Sequence, residues 1–107
     1  DRSGGEGLVR AGGLTLDLKA RQVAVRGQPV GLTRKEFDIL ELLALHAGQV
    51  FAKEQIYEKV WGYEAEGDSA TVAEHVKNIR AKLTQADPRT EYIETVWGIG
   101  YRLRKFR

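Results

Sequence analysis

One segment limits the fold more than any other. Residues 33–48 read TRKEFDILELLALHAG. The Thr33 hydroxyl is placed to accept from a backbone N–H of the first helical turn, and Glu36, three residues on, completes a capping box. Phe37, Leu40, Leu43, Ala44 and Ala47 then recur at helical spacing, and Gly48 offers a stop. Ile39, Leu42 and Leu45 fill much of the remaining circumference. A helix apolar on most sides must be enclosed. The rest of the chain is therefore expected to wrap around this helix. With 107 residues it forms one domain by length, large enough for a core without staples.

What precedes the helix reads as β structure. Leu8–Arg10, Gly13–Asp17, Gln22–Arg26 and Val30–Leu32 are short and alternating, separated by turn signals that include Gly27-Gln28-Pro29. They predict a four-stranded antiparallel meander of structural role. Residues 1–7 (DRSGGEG) are polar and glycine-rich, and read as a linker remnant that follows another part of a longer protein. After the central helix, Gln49–Phe51 reads as an extended connector. A second helix spans Lys53–Trp61, burying Ile56 and Val60, and ends at Gly62. Tyr63–Asp68 is an acidic loop.

The third helix carries most of the functional signal. Asp68 is positioned to cap a helix from Ser69 to about Gln85, ended by Asp87-Pro88. At about 100° per residue, Val72, Val76, Ile79 and Leu83 form one narrow stripe that must face the core. Ala70, Glu74, Lys77, Asn78 and Ala81 project the opposite way. Thr71, His75 and Lys82 lie along one flank, Arg80 and Thr84 along the other. Small and amide side chains in front, with cationic and hydroxylated flanks, suit a helix laid in a DNA major groove. An ordinary amphipathic surface helix shows the same wheel. The segments that follow shift the balance. Tyr92–Val96 and Tyr101–Lys105 flank Trp97-Gly98-Ile99-Gly100, predicting a hairpin whose glycines keep its tip slim and permit positive φ. The sidedness of its strands is left open by the pattern. A hairpin just after such a helix, basic at its far end, is the layout of a wing that reaches the minor groove.

Charge agrees. Residues 70–107 carry eight Lys/Arg against four acids, while the first 69 residues are net acidic. That distribution is an expected footprint of nucleic-acid binding, although net charge is only +2. No cysteine is present, which removes disulfides and thiolate metal sites and suits a reducing cytoplasm. His46 and His75 are far apart, with no ligand-spaced cluster and thus no expected metal. No cofactor fingerprint, nucleophile–base pair or carboxylate dyad points to an enzyme. No apolar run approaches the length of a membrane span, and the first residues do not resemble a signal peptide. A protein–protein module on the same fold is the stronger rival to DNA binding.

Three blocks, LTRKEFDILELLALHAGQVFAKEQIYEKVWG, TVAEHVKNIRAKL and TVWGIGYRL, resemble the OmpR/PhoB class of response-regulator output domains, over about residues 8–105 and in the family's order. The resemblance implies an α+β winged helix-turn-helix: a four-stranded N-terminal sheet, three helices and a C-terminal hairpin wing. It implies sequence-specific binding of double-stranded DNA without a cofactor, in a cytoplasmic two-component system that controls transcription. Helix 69–85 would enter the major groove and wing 92–105 would lie at the minor groove. Ala70, Glu74 and Asn78 would face bases, and Thr71, His75, Lys77, Arg80 and Arg102 would meet phosphates. Thr95, Trp97, Gly98 and Tyr101 would lie along the backbone and minor groove, with Trp61 beside a phosphate. Tyr63, Glu64 and Glu66 fall in the loop that in some members touches RNA polymerase. A receiver domain with its phospho-accepting aspartate, and a sensor kinase, belong to the full system outside this chain. The isolated domain is then expected to be a monomer that pairs on direct repeats. The sequence departs from the family where some members carry arginine, at Ala70, Asn78 and Trp97. It also has Ala52 where a Ser or Thr cap is common.

Overall fold

The computed structural model describes residues 7–62 and 67–106. In chain order the elements are β1 (Leu8–Ala11), β2 (Leu14–Asp17), β3 (Gln22–Val25), β4 (Gln28–Val30), α1 (Arg34–Leu45), α2 (Lys53–Trp61), α3 (Ala70–Ala86), β5 (Ile93–Val96) and β6 (Gly100–Leu103). This is the expected winged-helix order. The first four strands pair consecutively and antiparallel. Register sets Leu14 opposite Val25 and Leu16 opposite Val23. All four are buried, so one face of the meander covers the helices. The fourth strand begins earlier than its Val30–Leu32 expectation. The turn falls at Arg26-Gly27, both at positive φ, and Pro29 lies inside β4. That is tolerated because β4 is an edge strand, where a missing N–H breaks no ladder.

Helix α1 is the central element. Its capping box is formed: the Glu36 N–H donates to Thr33 Oγ1 at 3.3 Å and the Thr33 N–H donates to Glu36 Oε1 at 2.9 Å. Phe37, Ile39, Leu40, Leu43 and Ala44 are buried. Leu45 is the exception, 50% exposed, because it shares a helix face with Asp38, Glu41 and Leu42, none of them buried, while Leu43 and Ala44 of the same turn face the core. Gly48, at φ +91°, turns the chain, and its N–H donates to Leu103 O at 2.9 Å. The connector then joins the C-terminal sheet: Phe51 and Tyr101 exchange N–H···O bonds of 2.8 and 2.9 Å.

Helix α2 has the expected bounds, with Ile56 buried. Ala52, at its N-cap, has no side-chain acceptor, but its own N–H donates to Gln55 Oε1 at 2.8 Å. Half a capping box thus survives without a Ser or Thr. Helix α3 begins one residue after its expected start. Its first N–H, that of Ala70, donates to Asp68 Oδ1 at 2.9 Å, so Asp68 caps it as the sequence predicts.

Candidate nucleic-acid interface

Helix α3 has the two faces read from its wheel. Val72, Val76, Ile79 and Leu83 are buried against α1 and α2. Ala70, Ala73, Glu74, Lys77, Asn78 and Ala81 are exposed. The proposed base-facing set Ala70, Glu74 and Asn78 therefore stands together on open surface, with Lys77 among them.

The flanks are more committed than the wheel indicates. The Lys82 ammonium donates to Glu36 Oε1 at 2.6 Å, tying α3 to the capping box of α1. Burial raises the Glu36 carboxyl, but hydrogen bonds from Lys82 and the Thr33 backbone outweigh it and hold the group below its ordinary range. His75 approaches the Thr71 carbonyl oxygen with Nδ1 at 2.8 Å. That partner only accepts, so Nδ1 carries the proton. The ring also meets the edge of Trp61 at 5.1 Å between centroids, and Trp61 stacks on Tyr57 at 5.1 Å and 13°. Lys35 lies 5.1 Å from the Trp61 ring centre. Trp61 is half-buried at the junction of α2 and α3, with His75 against its edge.

Arg80 bridges α3 to the hairpin. Its Nε donates to Ile93 O at 3.2 Å, its Nη2 donates to Thr95 Oγ1, and its guanidinium lies 5.7 Å from the Tyr101 ring centre. Two of the five guanidinium N–H donors are thereby engaged within the chain. The wheel could not reveal this, because the partners lie 13 and 15 residues away.

Strands β5 and β6 pair Ile93 with Leu103, Glu94 with Arg102, Thr95 with Tyr101 and Val96 with Gly100. Ile93 and Leu103 are buried, which fixes the sidedness the sequence leaves open. Arg102 Nε donates across the ladder to Glu94 Oε1 at 2.8 Å. The connection has three residues rather than four, since Gly100 is paired. Ile99 N–H donates to Val96 O at 2.9 Å, and Gly98 sits at φ +82°, the positive value a type II turn requires at its third residue. Gly100 is needed for a different reason than expected: a Cβ there would lie 2.0 Å from the Phe51 carbonyl oxygen. At the tip, Trp97 is 88% exposed and Ile99 60%. Tyr63, Glu64 and Glu66 lie outside the described residues, as do residues 1–6 of the expected linker.

Residues 27–103 match the family described as transcriptional regulatory protein, C terminal. The chain belongs to this family. Among its curated relatives are the Bacillus subtilis uncharacterized transcriptional regulatory protein YclJ and the Enterococcus faecalis regulatory protein VanRB. Both are 43% identical, over 91% and 90% of this chain. The chain spans 42% and 41% of those two proteins, less than half of either. Solved relatives agree in fold. The DNA-binding domain of CpxR from E. coli superposes with a TM-score of 0.77 at 28% identity, covering 92% of this chain and 96% of that one. DrrB, a Thermotoga maritima OmpR/PhoB homologue, gives 0.80 at 32%, covering 96% and 46%. The Klebsiella pneumoniae RstA DNA-binding domain in complex with the RstA box gives 0.78 at 31%, covering 91% and 96%. These likenesses place the chain in the OmpR/PhoB class of output domains.

Proposed function

We propose that this domain binds double-stranded DNA sequence-specifically, as the output domain of a two-component response regulator that controls transcription. The observation that carries the reading is the exposed row Ala70, Glu74, Lys77 and Asn78 on a helix anchored behind by four buried residues, beside a wing held to that helix by Arg80. Helix α3 enters the major groove, where Asn78 pairs with an adenine edge and Glu74 accepts from a cytosine amine. Thr71, His75, Lys77, the free donors of Arg80 and Arg102 on the wing strand meet phosphates, with Trp61 beside one. Thr95, Trp97, Gly98 and Tyr101 follow the backbone into the minor groove. The role is recognition, with no catalysis and no cofactor. The RstA complex with its box, a relative at 31% identity, supports this use of the fold.

The wider system follows from the class. A receiver domain in the complete protein, phosphorylated by a sensor kinase in the cytoplasm, brings two copies of an otherwise monomeric domain onto direct repeats. Repeat centres one helical turn apart, about 10–11 bp, put both α3 helices on one face of the duplex. The loop holding Tyr63, Glu64 and Glu66 touches RNA polymerase. Selecting bound duplexes from a random pool with this domain tests the central reading. One enriched motif, with affinity that falls steeply as salt rises, is expected. An unenriched pool with no salt dependence rejects DNA recognition in favour of a protein-binding module.

A further inference from the structure

A cavity of about 260 Å³ lies between the C-terminal half of α3 and the segment that leads into β5. Arg80 and Thr84 of α3 form one wall, and Pro88, Arg89, Thr90 and Glu91 form the other. Leu83 and Ile93, both buried, close its floor. The second wall is tied in place. The Arg89 and Thr90 N–H groups donate to Asp87 at 3.3 and 3.4 Å, and the Arg104 N–H donates to Tyr92 O at 2.8 Å. Arg80 spends two of its five N–H donors on Ile93 O and Thr95 Oγ1, leaving three. Arg89 is exposed, and its guanidinium has no hydrogen bond or ion pair among the described residues.

We propose that this cavity is a site for a small carboxylate, held by Arg89, Thr84 and the remaining donors of Arg80, and that its occupant weakens duplex binding by drawing Arg80 away from the wing. Guanidinium and hydroxyl donors on facing walls match the oxygens of an anion, and the arginine fork fits a carboxylate two bonds at a time. Charge narrows the class. Arg80 and Arg89 give +2 and Glu91 gives −1, so the lining is net +1 and suits a monoanion better than a dianion. Asp87, behind the second wall in sequence, is already paired with Arg26 at 2.9 Å. Size narrows it further, because the cavity falls below the roughly 300–1,000 Å³ of sites that take drug-sized ligands. With the wall tied before binding, capture costs little ordering. The effect on DNA, and that part alone, rests on the duplex-binding reading above, in which Arg80 joins α3 to Thr95 and lends its free donors to a phosphate.

The test has two arms. In the first, backbone amide shifts of the chain alone are followed as acetate is added, with chloride and sulfate at equal ionic strength as the comparison. Acetate should give saturable shifts confined to Arg80, Thr84 and residues 88–91, sulfate weaker ones, and chloride none that saturate. Arg89→Ala should weaken acetate binding roughly tenfold, and Thr84→Val less. Glu91→Gln should tighten it and narrow the gap between acetate and sulfate. Thr84, Arg89 and Glu91 are exposed, so thermal unfolding should match wild type in all three variants. Shifts that do not saturate, or that Arg89→Ala leaves unchanged, mean an adventitious ion only and overturn the site. In the second arm, anisotropy titration of the selected duplex should show weaker binding in acetate than in chloride at equal ionic strength. Arg89→Ala should bind that duplex as wild type does in chloride and lose the acetate effect. Saturable acetate binding with duplex affinity unchanged overturns the effect on DNA. If the wild-type chain binds no duplex, the proposed function falls and the second arm with it, while the first arm still decides whether the site exists.

Discussion

Arg80 reaches from the third helix to Thr95 on the first strand of the wing, with Nη2 on the threonine hydroxyl and Nε on the neighbouring Ile93 carbonyl. The contact sets the distance between the two elements proposed to enter adjacent grooves. Fork geometry matters here, because one planar group serves two acceptors while lying over Tyr101.

Arg80→Lys keeps the charge and loses the fork. It should weaken binding to the selected duplex several-fold with little change in salt slope, whereas Lys77→Ala should cut the slope by roughly one and weaken all duplexes about equally. Arg80→Ala should do both. If Arg80→Lys binds as wild type does, the charge alone matters and the tie to the wing is incidental.

Asn78 stands on the exposed front of α3 with Glu74 one turn earlier. Its amide matches the N6/N7 edge of adenine. Asn78→Ala should cost about 1–3 kcal/mol on the selected site and flatten preference at one position of it. Repeating the selection with the variant reads this directly; an unchanged motif removes Asn78 from base readout.

The two wing glycines should respond differently to alanine. At Gly98 nothing lies within 4 Å of an added Cβ, so only the strain of φ +82° remains, about 1–2 kcal/mol. At Gly100 the Cβ would meet the Phe51 carbonyl at 2.0 Å, which forces the connector off the hairpin and should cost about 3 kcal/mol or more. Chemical denaturation of both variants gives the comparison. Equal losses would mean that the Phe51–Tyr101 bridge gives way without penalty.

Much of this was legible in the sequence because it is local. A capping box spans three residues, and the stripe from Val72 to Leu83 follows from helical geometry alone. The front face of α3 followed from the same wheel. What the chain did not disclose depends on distant partners. Lys82 reads as a cationic flank until Glu36, 46 residues away, is seen to accept from it. Arg80 reads as a free phosphate ligand until the wing folds beside it. Gly100 reads as a loop glycine, yet its need comes from the Phe51 backbone. Leu45 reads as core because a helix apolar on most sides does not show which of its apolar sides faces out. Pro29 reads as a turn residue, yet on an edge strand it is accommodated within β4.

Asp87 ends α3 and joins it to both β regions. Its carboxylate accepts from Tyr92 Oη at 2.8 Å, from Arg26 Nε at 2.9 Å and from the Arg89 N–H at 3.3 Å. The Tyr92 hydroxyl is the largest influence; together with Arg26 it outweighs burial and lowers the carboxyl from its ordinary 3.8 to about 2. A carboxyl held lower in the folded chain than in the unfolded one binds fewer protons when folded. Its contribution to stability is therefore complete above about pH 4 and is lost as pH falls toward 2. Tyr92→Phe removes the principal donor and keeps the ring packing against Phe106. The carboxyl should then titrate closer to its ordinary range, so the variant should be less stable than wild type at neutral pH and should lose less stability between pH 4 and 2. Asp87→Asn should flatten the dependence between pH 4 and 2, while lowering stability at neutral pH. Denaturation midpoints taken at half-unit pH steps resolve these curves. If all three proteins lose stability in parallel over that window, some other carboxylate governs the acid limb and Asp87 is only a steric end to the helix.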